Sequence, residues 1–326
     1  MNLKAFVPVW AKSLRKYIKG AKQLLPVYSY WFKRDIKNSM LFRNEMSDMA
    51  NLLIMGHVLE KGITMPDRRL GFGYERVREL ITFLKEVISL YTANHTEVQA
   101  ALSDLEQYDN LHKDNNFELP KDIQDGIDEL KCFKTVDTSL CFKMTVDDYF
   151  KSVKDFSEFA HQRHSVRWYS DVPVPEETII KSIELAQTAP SACNRQSSKV
   201  YILSSKEAKE VAIGIQNGNR GFGHLADKML LITANMKCWG PEIRTSAFLD
   251  AGIFIMNLLY ALHYNKVCAC TLNAHMDKKQ RKKLQQIIGY KDSEIPVAFI
   301  SIGNPPKEFM IAGSQRVEVE QMFTIV

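Results

Sequence analysis

Acid is nearly absent from the first 43 positions, where ten lysines and arginines stand against the single carboxylate Asp35. Cysteine is also sparse, at six in 326 residues, with no Cys-x-x-Cys pair and no regular frame. That excludes a small disulfide-stapled fold and suits thiols kept reduced. No apolar run reaches the ~18 residues a membrane-spanning helix requires. The best candidate, 251–262, is short and contains Asn257. No signal-peptide pattern opens the chain, because Lys12, Arg15, Lys16, Lys19 and Lys22 interrupt any apolar stretch. A cytoplasmic protein is therefore expected. Linkers rich in glycine or serine are missing as well, so the parts of the chain are expected to pack together rather than swing free.

What is present suits an ordinary globular protein: 45% apolar residues, a net charge of +5, and length enough for two domains or one domain with a large extension. The charge is unevenly placed. Residues 1–43 interleave their cations with Phe6, Trp10, Tyr17, Tyr28, Tyr30, Trp31 and Phe32. Such a segment can lie weakly on an anionic membrane surface. It can equally be a helical arm with a solvated basic face. No nucleic-acid-binding module accompanies it.

From Asn44 to about Tyr91 apolar residues recur at three- and four-residue spacings, which predicts two amphipathic helices. Between them lie His57-Val58-Leu59-Glu60-Lys61-Gly62 and a glycine-rich stretch ending in Phe72-Gly73. The first can be a structural turn with a surface ion pair or a contribution to a site. Another helix is expected over 96–108, and a Pro120-led one after it. Residues 1–155 thus read as a mostly α-helical extension. From 156 to 326 the texture changes to short apolar runs at 199–203, 229–234, 267–272 and 297–302, alternating with helical patterns at 176–189, 206–215, 247–264 and 278–288. This is an α+β layout, a mixed sheet wrapped by helices.

Arg163-His164-Ser165-Val166-Arg167 places two guanidiniums, an imidazole and a hydroxyl within five residues, groups suited to phosphate or carboxylate oxygens. One helix later, Pro190-Ser191-Ala192-Cys193-Asn194-Arg195-Gln196 forms a small-residue loop whose amides can read a flat ligand's edge. In order and spacing these two segments resemble the FMN-dependent nitroreductase family, from about Phe159 to the end of the chain. The resemblance implies an FMN oxidoreductase that takes hydride from NADH or NADPH and passes electrons to an unidentified acceptor. It further implies a homodimer. Arg163, Ser165 and Arg316 would then hold the flavin phosphate, His164 would also lie at the cofactor, and Arg167, Asn194 and Gln196 would meet the ring edge. Pro190 and Ser191 would reach the flavin of the other subunit, and backbone N–H groups near Leu272 and Asn273 would face the ring. Departures from the family are Ser197-Ser198 in place of a Pro-Trp pair and the absence of Gly-Leu-Gly glycines between Asn265 and Asn273. No side chain is assigned as catalytic. The alternative is a dimeric scaffold or peripheral-membrane protein built on the same core.

Two further patterns carry less. His263, Cys268, Cys270 and His275 lack metal-knuckle spacing and read as buried thiols on a strand, so no metal is expected. Gly218-Asn219-Arg220-Gly221-Phe222-Gly223 has the wrong glycine order for a dinucleotide fingerprint. It reads instead as a loop bordering a substrate pocket.

Overall fold

The computed structural model describes residues 9–37, 43–136, 141–151, 155–239 and 245–326. Of the basic arm, residues 1–8 and 38–42 therefore lie outside the described residues. The rest of it forms α1 (Val9–Lys37). Trp10, Leu14, Tyr17, Ile18 and Leu25, at offsets of 4, 7, 8 and 15 from the first, are exposed on it. That spacing puts them on one helical face.

Four helices follow: α2 (Glu45–Ile63), α3 (Tyr74–Leu90), α4 (Thr96–Asp114) and α5 (Lys121–Leu130). Asn44 starts α2 with a capping box, its side-chain oxygen accepting from Ser47 N while Ser47 Oγ accepts from Asn44 N. The apolar positions at helical spacing converge as expected. Leu52, Leu59, Val77, Leu80, Leu84, Leu105, Tyr108 and Ile123 fill one core.

Beyond it, β1 (Cys141–Thr145) pairs antiparallel with β6 (Glu308–Ala312), from Cys141 opposite Ala312 to Thr145 opposite Glu308. This ribbon joins two cores. Cys141 belongs to the helical one, whereas Phe309 and Ile311 belong to the C-terminal one. The short helix α6 (Val146–Tyr149) then buries Tyr149 in the C-terminal core.

The main sheet has the order β2 (Ser198–Leu203), β3 (Lys228–Asn235), β5 (Glu294–Gly303), β4 (Cys268–Asn273). The α+β architecture and all four strands lie where the sequence predicts. The sheet differs in one respect: a mixed sheet was expected, and every described ladder is antiparallel. Alternation along β3 shows why both faces are covered. Met229 and Leu231 meet α9 (Lys206–Ile215) and α11 (Lys278–Ile288), while Leu230 and Ile232 meet α8 (Glu176–Ala186) and α10 (Thr245–Tyr264). Pro296 sits in β5 beyond the last residue paired with β4, where its missing N–H costs no ladder bond, and the β3–β5 register shifts beside it.

By length and composition α10 could cross a membrane, which the shorter 251–262 run did not suggest. Its packing fixes one face of it to the fold, while Phe248, Leu249, Ile253 and Met256 on it are exposed. Ala251, Leu258 and Leu262 are buried against the sheet and α8, Asp250 accepts from Ala192 N at 3.0 Å, and Asn257 donates to Ala186 O at 3.1 Å.

Candidate functional site

The segment after α7 (Phe156–Gln162) runs extended beside β4, with Val166 N donating to Ala269 O at 3.0 Å. Tyr149, 1% exposed, fixes its start: the phenol donates to His164 O at 3.0 Å and accepts from His164 N at 3.3 Å. Tyr169 fixes its end through Val166 O and Ser301. Trp168 Nε1 donates to Thr64 O at 2.5 Å, tying the segment to the end of α2. Arg163, His164, Ser165 and Arg167 are thus carried on backbone held from three sides.

Their electrostatics show which charges meet. His164 is pushed down to about 4 by burial and then by Arg163, Arg316 and His161. His263, near the end of α10, is likewise pushed down to about 4 by burial, Arg163 and His164. Arg316, 153 positions from Arg163, therefore shares the neighbourhood of the Arg163-His164 pair, and Ser165 lies half-buried beside it. Arg163 Nε is buried without a hydrogen-bond partner. A buried guanidinium nitrogen facing no acceptor is a site short of an anion.

Arg167 points to a second gathering. Its guanidinium lies 5.9 Å from the Phe222 ring centroid, and Lys61 Nζ lies 5.2 Å from the same ring. Lys61 also donates to Gly218 O at 2.6 Å, and its pKa is lowered by burial, Arg167 and Arg220. No ion pair is recorded for Lys61, Arg167 or Arg220 among the described residues. Two patterns treated separately in the sequence, the His57–Gly62 segment and the 218–223 loop, are neighbours here. Lys61 and Phe222 are the residues that sequence reasoning did not single out.

The 190–196 loop stands apart from both. Gln196 N donates to Ser191 Oγ at 3.0 Å, and the Gln196 amide donates to Asn194 Oδ1 at 2.9 Å. Cys193, Asn194 and Gln196 all adopt left-handed φ, at 52°, 55° and 48°. Three such non-glycine residues in four store strain of the kind found at ligand-binding loops. The loop borders a pocket of about 320 Å³ with Pro190, Asp250 and Phe254 in its wall. Asp250 and His263 lie thirteen residues apart on α10, about 20 Å at helical rise. The loop and the arginine pair therefore flank opposite ends of one helix, and within one chain they are not brought together.

Leu272 and Asn273 end β4, paired with Phe299 and Ala298, and Asn273 O accepts from the Gln216 amide at 3.2 Å. Cys268 and Cys270 are free, buried thiols on one face of that strand. Among the described residues, no group of three or more His, Cys, Asp or Glu is arranged to hold a metal ion.

Residues 160–229 match the nitroreductase family. A protein of Streptococcus pyogenes serotype M6 named as an NAD(P)H nitroreductase, Spy0809, is 27% identical over 183 residues, covering 43% of this chain and 91% of its own. Among solved structures, a nitroreductase in complex with FMN from Desulfovibrio desulfuricans is 19% identical, covers 54% of this chain and 98% of its own, and has a TM-score of 0.46. One from Exiguobacterium sibiricum, also with FMN, is 19% identical with a TM-score of 0.47, over 54% of this chain and 99% of its own.

Proposed function

We propose that the protein is an FMN-dependent oxidoreductase of nitroreductase type, working as a cytoplasmic homodimer. The observation that carries this reading is the orphaned, buried Arg163 Nε, beside a His164 whose pKa Arg163 and Arg316 together depress. A phosphate monoester bears close to two negative charges and supplies the missing acceptors. The residues present therefore fit the cofactor.

In this reading Arg163, Ser165 and Arg316 hold the phosphate, with His164 neutral beside it. Arg167, joined by Lys61 from the extension, sets positive charge beside the ring and favours electron uptake there. Leu272 and Asn273 offer backbone groups at the end of β4. When bound, FMN supplies the redox chemistry, taking hydride from NADH or NADPH and passing electrons to a second substrate. No acid or base from the chain is required for the first half of that exchange, so no side chain is assigned as catalytic. Because Pro190, Ser191, Asn194 and Gln196 sit at the far end of α10, a second copy delivers them to each flavin. The reading is tested by isolating the protein without added cofactor. One FMN per chain is expected, and an Arg163→Ala/Arg316→Ala variant should be colourless; a double variant as yellow as the parent refutes the clamp.

A second reading, a peripheral-membrane scaffold on the same core, draws on α1, where exposed Trp10, Leu14, Tyr17, Ile18 and Leu25 accompany Arg15, Lys16, Lys19 and Lys22. Sedimentation with phosphatidylserine vesicles discriminates. Full-length protein should bind at low salt and release above ~0.15 M, where the Debye length is about 8 Å, whereas a chain starting at Asn44 should not bind. Equal partitioning of both would remove the arm from the account.

A further inference from the structure

Between α2 and α4 lies a cavity of about 200 Å³ whose polar wall is His57, Glu60, Glu97, Asp104, Ser314 and Gln315. His57 and Glu60 are one turn apart on α2, and Glu97 and Asp104 are two turns apart on α4, so each pair shares a helical face. The three carboxylates are 2%, 3% and 3% exposed. Glu60 is satisfied, with His57 Nδ1 at 3.2 Å and Ser314 Oγ at 3.3 Å. The other two are not: Glu97 Oε2 and Asp104 Oδ1 are buried with no hydrogen-bond partner. No lysine or arginine lines the cavity.

Buried carboxylate oxygens without donors are costly, and a fold tolerates several in one cavity only when a cation or protons complete them. Burial and the nearby Glu60 push the Asp104 carboxyl up from its ordinary value. The remaining wall is two leucines and two alanines. A bare metal ion would not use that apolar surface, and these groups do not form a metal-holding set.

We propose that this cavity binds a primary alkylammonium ligand, its N–H donors taken up by the unpartnered carboxylate oxygens of the wall and its carbon chain lying on the leucine and alanine wall. His57, whose side chain is 46% exposed, stands at the mouth. The cavity adjoins the proposed flavin cradle, since Ser314 in its wall also accepts from Arg316, but the amine it would hold is not the flavin.

The test is isothermal titration calorimetry on the full chain with n-butylammonium and 1,4-butanediammonium. Tetramethylammonium, which has charge but no N–H, and Mn²⁺ are run in parallel. Saturable binding of the two amines at one per chain is expected, at least tenfold tighter than tetramethylammonium. Glu97→Gln and Asp104→Asn should each weaken it tenfold or more. Both variants remove a buried carboxylate, so the ligand-free proteins should melt at the same temperature as the parent or higher, which separates lost binding from lost folding. Amines that do not bind, or that bind both variants as well as the parent, overturn the proposal. Stoichiometric Mn²⁺ binding abolished by the same substitutions overturns it in favour of a metal.

Discussion

Lys61, near the end of α2, donates its ammonium to the carbonyl oxygen of Gly218, 157 positions away, at 2.6 Å. That bond places a half-buried cation from the helical extension beside Arg167 over the Phe222 ring. The extension thus reaches the Arg167–Phe222 gathering through Lys61.

Neutralising Lys61 should therefore be felt by the flavin. A unit charge roughly 10 Å away at an effective dielectric of 20 contributes about 1–2 kcal/mol, equivalent to roughly 20–40 mV for a two-electron couple. Lys61→Met is expected to lower the flavin midpoint potential by that amount, with Lys61→Arg retaining most of it. Spectroelectrochemical titration checks this, and an unchanged potential in Lys61→Met would place the ammonium outside the flavin's field.

A second expectation concerns acid stability. His263 is 4% exposed among Tyr149, Phe150 and Phe159, and its pKa is pushed down to about 4 by burial, Arg163 and His164. In the unfolded chain it titrates near 6.5. Between about 6.5 and about 4 the unfolded state therefore binds the extra proton, and stability falls as pH falls through that window. His263→Phe removes this proton uptake. Denaturant unfolding at pH 7 and pH 4.5 should show a smaller loss for the variant than for the parent, and equal losses would mean that His263 does not carry the effect.

How much of this was legible beforehand follows from what kind of information each feature needs. The strands at 198–203, 228–235, 268–273 and 294–303 announce themselves as short apolar runs, and α9 and α11 by helical spacing. The β1–β6 ribbon did not. Its strands are five residues each, and among the described residues each pairs only with the other, about half the chain away, so nothing local marks them. Strand direction was also hidden, because it depends on where connections cross the sheet. Arg163, Arg167 and Arg316 were named through a family pattern, but Lys61 could not be chosen over His57 or Glu60 from spacing. Which residue of that segment faces the 218–223 loop is decided by how α2 lies on it. Glu60, one position earlier, faces the α2–α4 cavity instead.

The end of the chain supports a third prediction. Val319, Met322, Phe323 and Ile325 are exposed, Ile325 at 89%, an apolar segment with nothing of its own chain over it. In the proposed homodimer these residues would cover the partner, and the same association would deliver the 190–196 loop. Truncation after Val317 should shift the protein from dimer to monomer in analytical ultracentrifugation and reduce flavin retention with it. A truncated protein that remains dimeric and fully flavinated would separate the tail from the interface.

The central claim is that Arg163, Ser165 and Arg316 form a phosphate clamp, and the most direct measurement compares FMN with riboflavin, which has the same ring and no phosphate, by fluorescence quenching on flavin-stripped protein. A clamp of charge-assisted bonds, each worth about 1.5–3 kcal/mol, predicts at least a hundredfold tighter binding of FMN and a preference that collapses in Arg163→Ala/Arg316→Ala. Equal affinity for the two ligands in the parent protein would contradict the account.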